Sequence, residues 1–143
     1  MSVESILRRK GTDVTTIGPE ASIKSAADWL RAKNIGALVV TSGNGILGVV
    51  SEREIVHAIS RHGATATAMP VSEIMRHGVI TVSPAETVSH AMNLMTRHRV
   101  RHMPVVHDGK LAGIISIGDV VKHRLDDLEL ETHVLRDAHI AGR

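Results

Sequence analysis

A serine followed three residues later by an acid occurs twice, each time after a glycine and two β-branched residues. The copies are Gly-Val-Val-Ser-Glu-Arg-Glu at 48–54 and Gly-Ile-Ile-Ser-Ile-Gly-Asp at 113–119. This spacing is typical of a capping box at a helix N-terminus. A carboxylate in the first turn of a helix can also accept hydrogen bonds from a ribose diol, and the free N–H groups there favour phosphate. The residues alone leave both interpretations open.

Two other kinds of chemistry are weighed against this one. The pairs His98/His102 and His102/His107 could be metal ligands, but no cysteine or clustered acid accompanies them. We interpret them as surface histidines and predict no metal site. Ser116 and Asp119 lie too close on one helix turn to act as nucleophile and orienting acid of a hydrolase. We therefore predict no catalytic residues.

Basic residues cluster at three places, although the formal net charge is only +2. The clusters lie at 8–10, 97–102 and 122–124. Most such clusters are solvated surface, and a small phosphate ligand is the alternative for the middle one. The chain has one Trp and no Phe or Tyr, so it lacks the stacking platforms of single-strand binders and we expect no nucleic-acid partner.

The length of 143 residues fits one compact domain or two half-domains that share a core. The absence of cysteine excludes disulfides and thiol nucleophiles and suits a reducing compartment. The first ten residues lack the apolar region of a signal peptide, and no apolar run approaches the roughly 18 residues that span a bilayer. We predict a cytoplasmic protein that has no membrane partner.

A repeat with a constant offset of 65 residues organises the chain. Val-Thr-Thr-Ile-Gly-Pro at 14–19 recurs as Val-Ile-Thr-Val-Ser-Pro at 79–84, and Gly-Val-Val-Ser at 48–51 as Gly-Ile-Ile-Ser at 113–116. Two copies are too few for an open array. They indicate a pseudo-symmetric pair, in which equivalent loops meet at a cleft between the halves.

Each copy has the same predicted elements. A β-branched run ends in proline, Ser22 or Thr87 then caps an amphipathic helix, and two β-rich runs flank a glycine turn before a second helix. The β-rich runs are predicted at 37–41, 46–50, 103–106 and 111–115. Each copy is therefore predicted to be β-α-β-β-α.

Four segments lie outside this pattern. A short helix is predicted before each unit, at Val-x-x-Ile-Leu-Arg (3–8) and Val-x-x-Ile-Met-Arg (71–76), and 61–70 is predicted to be a linker. A long helix is predicted from Asp119. Its apolar stripe either packs on its own domain or docks on a partner subunit. The stripe consists of Val121, Leu125, Leu128 and Leu135.

The order of these motifs resembles the cystathionine-β-synthase-type (CBS) domain. The resemblance is carried by the Thr-and-Pro opening run, the capped helix, Arg-His-Met-Pro-Val-Val at 101–106 and Asp-Gly-Lys-Leu-x-Gly-Ile-Ile-Ser-x-x-Asp at 108–119. It covers both copies and nearly the whole chain. It implies an α+β (α/β) fold of two pseudo-symmetric β-α-β-β-α units packed as a pair, as in a stand-alone tandem CBS protein. The predicted parts are a first domain at 3–60, the linker at 61–70, a second domain at 71–126 and a helical extension at 127–143.

The resemblance also implies ligands and site residues. Members of the family bind AMP, ADP, ATP, NAD or S-adenosylmethionine in the clefts between units, and many form disc-like homodimers. In the second copy, Asp119 matches the ribose-binding acid, Ser116 the hydroxyl residue before it, and Thr81 the opening-strand residue beside the adenosine.

Four further residues of the second copy match the family's site. Met103 and Pro104 match the apolar wall beside the base, and Arg101 and His102 match positions that reach phosphate. Both basic side chains are expected at the helix–strand corner near Asp119, where they would grip the nucleotide from one edge of its cleft.

The first copy departs from the family pattern at two positions. Glu54 stands where Asp is usual, and Val39 stands where the second copy has Pro104. Arg53 could reach a phosphate across the pair. We therefore expect the second copy to hold the better site. The positions of the first copy that still match are Thr16, Leu38 and Ser51.

The predicted function is that of a regulatory module that senses an adenosine nucleotide and signals to an unidentified protein target, without catalysis of its own. One alternative is a structural dimerisation unit with empty clefts. Another is a chain labelled as inosine-monophosphate-dehydrogenase-like that lacks the catalytic barrel. The retained Asp119, Arg101 and His102 favour nucleotide binding over a structural role.

Overall fold

Both copies of the repeat fold as helices around short strands in the computed structural model, which describes residues 1–43 and 45–141. Elements of the first half are α1 (Val3–Lys10), β1 (Thr16–Ile17), α2 (Ile23–Lys33), β2 (Ala37–Ser42), β3 (Gly45–Ser51) and α3 (Glu52–His62). Those of the second half are α4 (Val88–His98), β4 (His102–His107), β5 (Lys110–Ser116) and α5 (Ile117–Ala141). Two 3₁₀ helices, Gly63–Ala68 and Val71–Glu73, connect the halves.

The predicted caps and the predicted turn between β4 and β5 are confirmed, while Asn44 of the predicted β2–β3 turn lies outside the described residues. The Ser25 N–H donates to Ser22 Oγ at 3.0 Å, and the His90 N–H donates to Thr87 Oγ1 at 3.0 Å, at the starts of α2 and α4. The β4–β5 turn has φ values of +50° at Asp108 and +74° at Gly109, the left-handed conformations that a two-residue hairpin requires.

The two sheets differ by one strand. In the first unit β1 pairs with β2 in parallel and β2 with β3 in antiparallel fashion, whereas the second sheet consists of β4 and β5. The strand predicted at 79–84 is wrong: this segment makes one isolated bridge, Val82 to Val105. Proline explains the difference. In the first unit the Val39 N–H donates to the Thr15 carbonyl, but the equivalent position is Pro104, which has no N–H to donate.

Each repeat's opening segment packs on the other unit. Val3, Ile6 and Leu7 of α1 belong to the core cluster of the second unit, while Val71 and the half-buried Met75 belong to that of the first. The sequence predicted a helix before each unit, and α1 confirms the first, whereas only Val71–Glu73 of the second is helical. The linker predicted at 61–70 is folded, since α3 extends to His62 and Ala66 of the following 3₁₀ helix is fully buried.

Two glycines make this exchange possible. A Cβ atom on Gly48 of β3 would lie 2.7 Å from the Arg76 carbonyl oxygen and 2.8 Å from the Met75 side chain. A Cβ atom on Gly113 of β5 would lie 2.7 Å from Leu7 Cδ2. Each hairpin therefore carries glycine at a point where the exchanged segment packs against its backbone.

The C-terminal helix starts two residues before its predicted start, at Ile117. The predicted apolar stripe is exposed, with Val121 at 45% and Leu125 at 55%, so it does not pack on its own domain. Residues 142–143 of the predicted extension lie outside the described residues. No helix in the described part of the chain has the length and apolar character needed to cross a bilayer.

We expect Gly48→Ala to destabilise the protein by about 1–3 kcal/mol, the usual cost of overpacking, because a backbone carbonyl cannot move aside. Gly113→Ala should cost less, since the contacting atom is the end of the flexible Leu7 side chain. Gly18→Ala is the control, because its Cβ would meet nothing within 4 Å. Urea denaturation gives the unfolding midpoint of all three variants. Equal midpoints for Gly48→Ala and Gly18→Ala would contradict the close packing of segment 75–76 against Gly48.

Candidate functional site

Two clefts lie between the units, and each is built from both of them. The cleft that we call the Glu54 cleft has a volume of about 460 Å³ and combines Ser51 and Glu54 with segments 76–80 and 98–102 of the second half. The Asp119 cleft, of about 790 Å³, combines Ser116 and Asp119 with segments 13–15 and 33–37 of the first half. Glu54 thus faces the corner between α4 and β4, and Asp119 faces the corner between α2 and β2.

The capping-box interpretation is confirmed at both acids. Glu54 Oε1 accepts hydrogen bonds from the Ser51 N–H at 2.9 Å and the Ser51 hydroxyl at 2.8 Å. Asp119 Oδ2 accepts from the Ser116 N–H at 2.8 Å, and the Asp119 N–H donates to the Ser116 hydroxyl at 3.1 Å. Both carboxylates also line their clefts, so capping holds each acid in place at the cleft wall.

Asp119 has a further partner that sequence reasoning missed. Lys10 Nζ, at the end of α1, lies 2.7 Å from Asp119 Oδ2 and 2.9 Å from the Ile114 carbonyl oxygen. Burial alone would raise the pKa of Asp119, but the hydrogen bonds from Lys10 and Ser116 and the lysine charge outweigh it, so the pKa lies below its usual value. The only sign of this pair in the sequence was the basic cluster at 8–10, and such clusters are usually solvated surface.

The Glu54 cleft is strongly basic. Four arginines and three histidines line it, against two glutamates, whereas the Asp119 cleft has two lysines, one histidine and two aspartates. Arginine offers a planar set of donors that matches phosphate oxygens, so this cleft suits a multiply charged anion. Its basic residues are Arg53, Arg76, His77, His98, Arg99, Arg101 and His102.

Arg101 and His102 share the Glu54 cleft and not, as expected, the cleft of Asp119. Arg101 lines the Glu54 cleft, whereas His102 lines both clefts and so lies at the boundary between them. The reason is the packing of the two units, which turns the α4–β4 corner toward the acid of the other half. Gly36 occupies the position equivalent to Arg101, and a Cβ atom there would lie 2.8 Å from His102 Nε2.

The imidazole of His102 sits in a mixed electrostatic environment. Burial lowers its pKa, and the charges of Glu54 and Asp119 raise it without restoring the usual value, while Lys10 lowers it further. Groups of both clefts therefore act on this one ring. In the free protein His102 gains its proton at a lower pH than an exposed histidine does.

Other predicted site residues are distributed between cleft and core. Ser51, Arg53 and Glu54 come together in one cleft as expected. Leu38 and Met103 are fully buried in the cores of their units, so their side chains do not form cleft walls.

Three predicted residues are not among those that line the two clefts. Pro104 is buried within β4, and Thr16 and Thr81 are exposed. From the two threonine-containing segments, the residues that line the clefts are the neighbouring 14–15 and 79–80. The opening segments therefore contribute to the clefts one or two residues before the predicted positions.

Comparisons with known proteins agree with this architecture. The CBS domain family model matches residues 3–61 and 71–126. The CBS domain-containing protein YhcV of Bacillus subtilis is 28% identical over 116 residues, which cover 81% of this chain and 82% of that protein.

Solved structures give the same result. The CBS-domain containing protein ATU1752 of Agrobacterium tumefaciens is 46% identical with a TM-score of 0.83, covering 87% of this chain and 99% of that one. The CBS domain pair of protein MJ0100, in complex with 5-methylthioadenosine and S-adenosyl-L-methionine, is 25% identical with a TM-score of 0.79 and covers 89% and 98%. With two matched domains and the fold of such pairs, the chain belongs to the CBS-domain family as a tandem pair of CBS domains.

Proposed function

We propose that this CBS pair is a regulatory module that binds adenosine nucleotides in the clefts between its units and signals their presence to a protein partner. The observation that carries the proposal is the composition of the clefts, each of which places a capped carboxylate of one unit opposite cationic residues of the other. The related pair of MJ0100, which was solved with two adenosine compounds, supports the choice of ligand class.

The geometry suggests how such a ligand would act. A capped carboxylate can accept hydrogen bonds from a ribose diol, while arginines of the facing unit, such as Arg101, bind phosphate. One nucleotide would then contact both units and stabilise one arrangement of the pair. A partner that binds this arrangement better would respond to the nucleotide, as linkage requires.

We expect AMP at about 100 times its dissociation constant to stabilise the protein by roughly 2.7 kcal/mol, which corresponds to a melting shift of about 5–15 °C. Adenosine should give a much smaller shift because it lacks phosphate. Arg101→Gln should remove the part of the AMP shift that comes from binding in the Glu54 cleft, and Arg31→Gln, an exposed change on α2, is the control. Thermal shift measures each case, and equal shifts from AMP and adenosine would exclude Arg101 as a phosphate ligand.

The alternative of a structural dimerisation unit predicts a different result in the thermal-shift experiment. If AMP, ADP, ATP, NAD and S-adenosylmethionine all leave the melting temperature unchanged, the clefts do not bind adenosine compounds. A dimerisation unit would then be the better account of the chain.

We further propose that Asp119 is the principal ribose acid. It has the carboxylate length expected for the family, whereas Glu54 has one methylene more. Asp119→Ala should weaken AMP binding roughly ten- to a hundred-fold, the loss expected for charge-assisted hydrogen bonds, and more than Glu54→Ala does. Calorimetry compares the two variants; a larger loss in Glu54→Ala would reverse the ranking of the clefts.

A homodimer is the proposed assembly. The second helix of each unit exposes apolar side chains that its own chain does not cover, at Val56 and Ile59 of α3 and at Val121, Leu125 and Leu128 of α5. Water contact with such a surface is unfavourable, and a two-fold partner would remove it.

We expect light scattering at tens of micromolar to return the mass of a dimer. Leu125→Glu should shift the protein toward monomer because it places a charge within the covered surface, while Leu130→Glu, also exposed but outside the predicted stripe, is the comparison. A monomer for the unmodified protein would contradict the proposal.

A further inference from the structure

Lys10 occupies an oxygen atom that a nucleotide would need. Asp119 Oδ2 accepts hydrogen bonds from both Lys10 Nζ, at 2.7 Å, and the Ser116 N–H, at 2.8 Å. A carboxylate oxygen has two lone pairs in its plane, so this oxygen is saturated. A ribose diol that engages both oxygens of Asp119 must first displace the lysine ammonium.

In the Glu54 cleft, glycine stands at the position equivalent to this lysine. The opening segments correspond with an offset of 68, from Val3 to Val71, and this offset carries Lys10 onto Gly78. Gly78 lines the Glu54 cleft. Among the described residues, the hydrogen bonds to the Glu54 carboxylate come from Ser51, so the tethered cation distinguishes the Asp119 cleft from its counterpart.

We propose that Lys10 is a specificity-determining residue that exchanges partners, pairing with Asp119 in the empty cleft and with the phosphate of the nucleotide when ribose takes the carboxylate. This inference rests on the proposed function. A ligand without phosphate displaces the lysine from Asp119 and provides no new anion for its ammonium group. A nucleotide supplies a new anion, so the exchange costs it little, and the cleft discriminates against nucleosides.

The surroundings of Lys10 allow the side chain to move while its helix stays in place. Val3, Ile6 and Leu7 anchor α1 in the core of the second unit, and Arg9 pairs with Asp126 of α5. Lys10 is the last residue of α1, and its side chain is 32% exposed. The flexible stem of lysine can therefore turn from the carboxylate into the cleft without loss of core contacts.

The test is calorimetric titration of AMP and of adenosine into the protein and into Lys10→Met, which keeps the length of the stem and removes the charge. Adenosine should bind roughly two- to five-fold more tightly to the variant, because a partly exposed ion pair no longer competes for Asp119. AMP should bind roughly ten-fold more weakly, because a charged phosphate ligand is lost. The two changes have opposite signs, which a general loss of structure cannot produce.

Three controls refine the assignment. Arg9→Met removes the neighbouring ion pair between α1 and α5, and it should leave the ratio of the AMP and adenosine affinities unchanged. In an Asp119→Asn background the gain in adenosine binding from Lys10→Met should vanish, because the contested carboxylate is gone. Lys10→Arg should retain the preference for AMP, and Lys10→Gln replaces Lys10→Met if that variant does not fold.

The outcomes separate the two proposals. If both ligands bind but Lys10→Met changes their affinities in the same direction or not at all, the exchange of partners is refuted and nucleotide binding stands. If neither ligand binds to the unmodified protein or to any variant, the proposed function fails and the inference fails with it.

Discussion

The close contact between each hairpin and the opening segment of the other repeat is the constraint on which the structure depends. Gly48 and Gly113 leave room on their strands for Met75 and Leu7. Each of these side chains comes from the opening segment of one repeat and helps to complete the core of the other unit. Because neither unit has a finished core by itself, the two halves must pack together. The clefts follow from that packing, since they are the gaps left where the corner of one unit meets the acid of the other.

The clefts also show how one side chain can serve stability and recognition. Glu54 and Asp119 satisfy backbone or hydroxyl donors of their serine partners, which fixes the carboxylates at the start of α3 and α5. A carboxylate that is held in this way loses little freedom of its own on meeting a ligand, and pre-organisation of this kind reduces the cost of binding. The capping and nucleotide-binding interpretations of the same motif are therefore compatible.

Sequence reasoning predicted the elements well because local rules control them. Ser22 and Thr87 cap helices, and glycine turns join the strands, wherever the rest of the chain lies. The strand at 79–84 failed because Pro104, about twenty residues away, removes a donor that only the pairing reveals. The exchanged opening segments and the Lys10–Asp119 pair were not predictable either, since no periodicity or spacing tells which unit an amphipathic segment will cover.

The exchange of opening segments has a consequence for how the chain is made. The Val3 N–H donates to the carbonyl oxygen of Glu86, so α1 finds its place only after the second repeat has begun to leave the ribosome. The core of the first unit is likewise complete only after Val71 has been synthesised. Contacts between such distant residues slow folding, because a long loop must close first. A nascent chain that stops after the first repeat would thus expose apolar surface at two places, on α1 and on its own unfinished core.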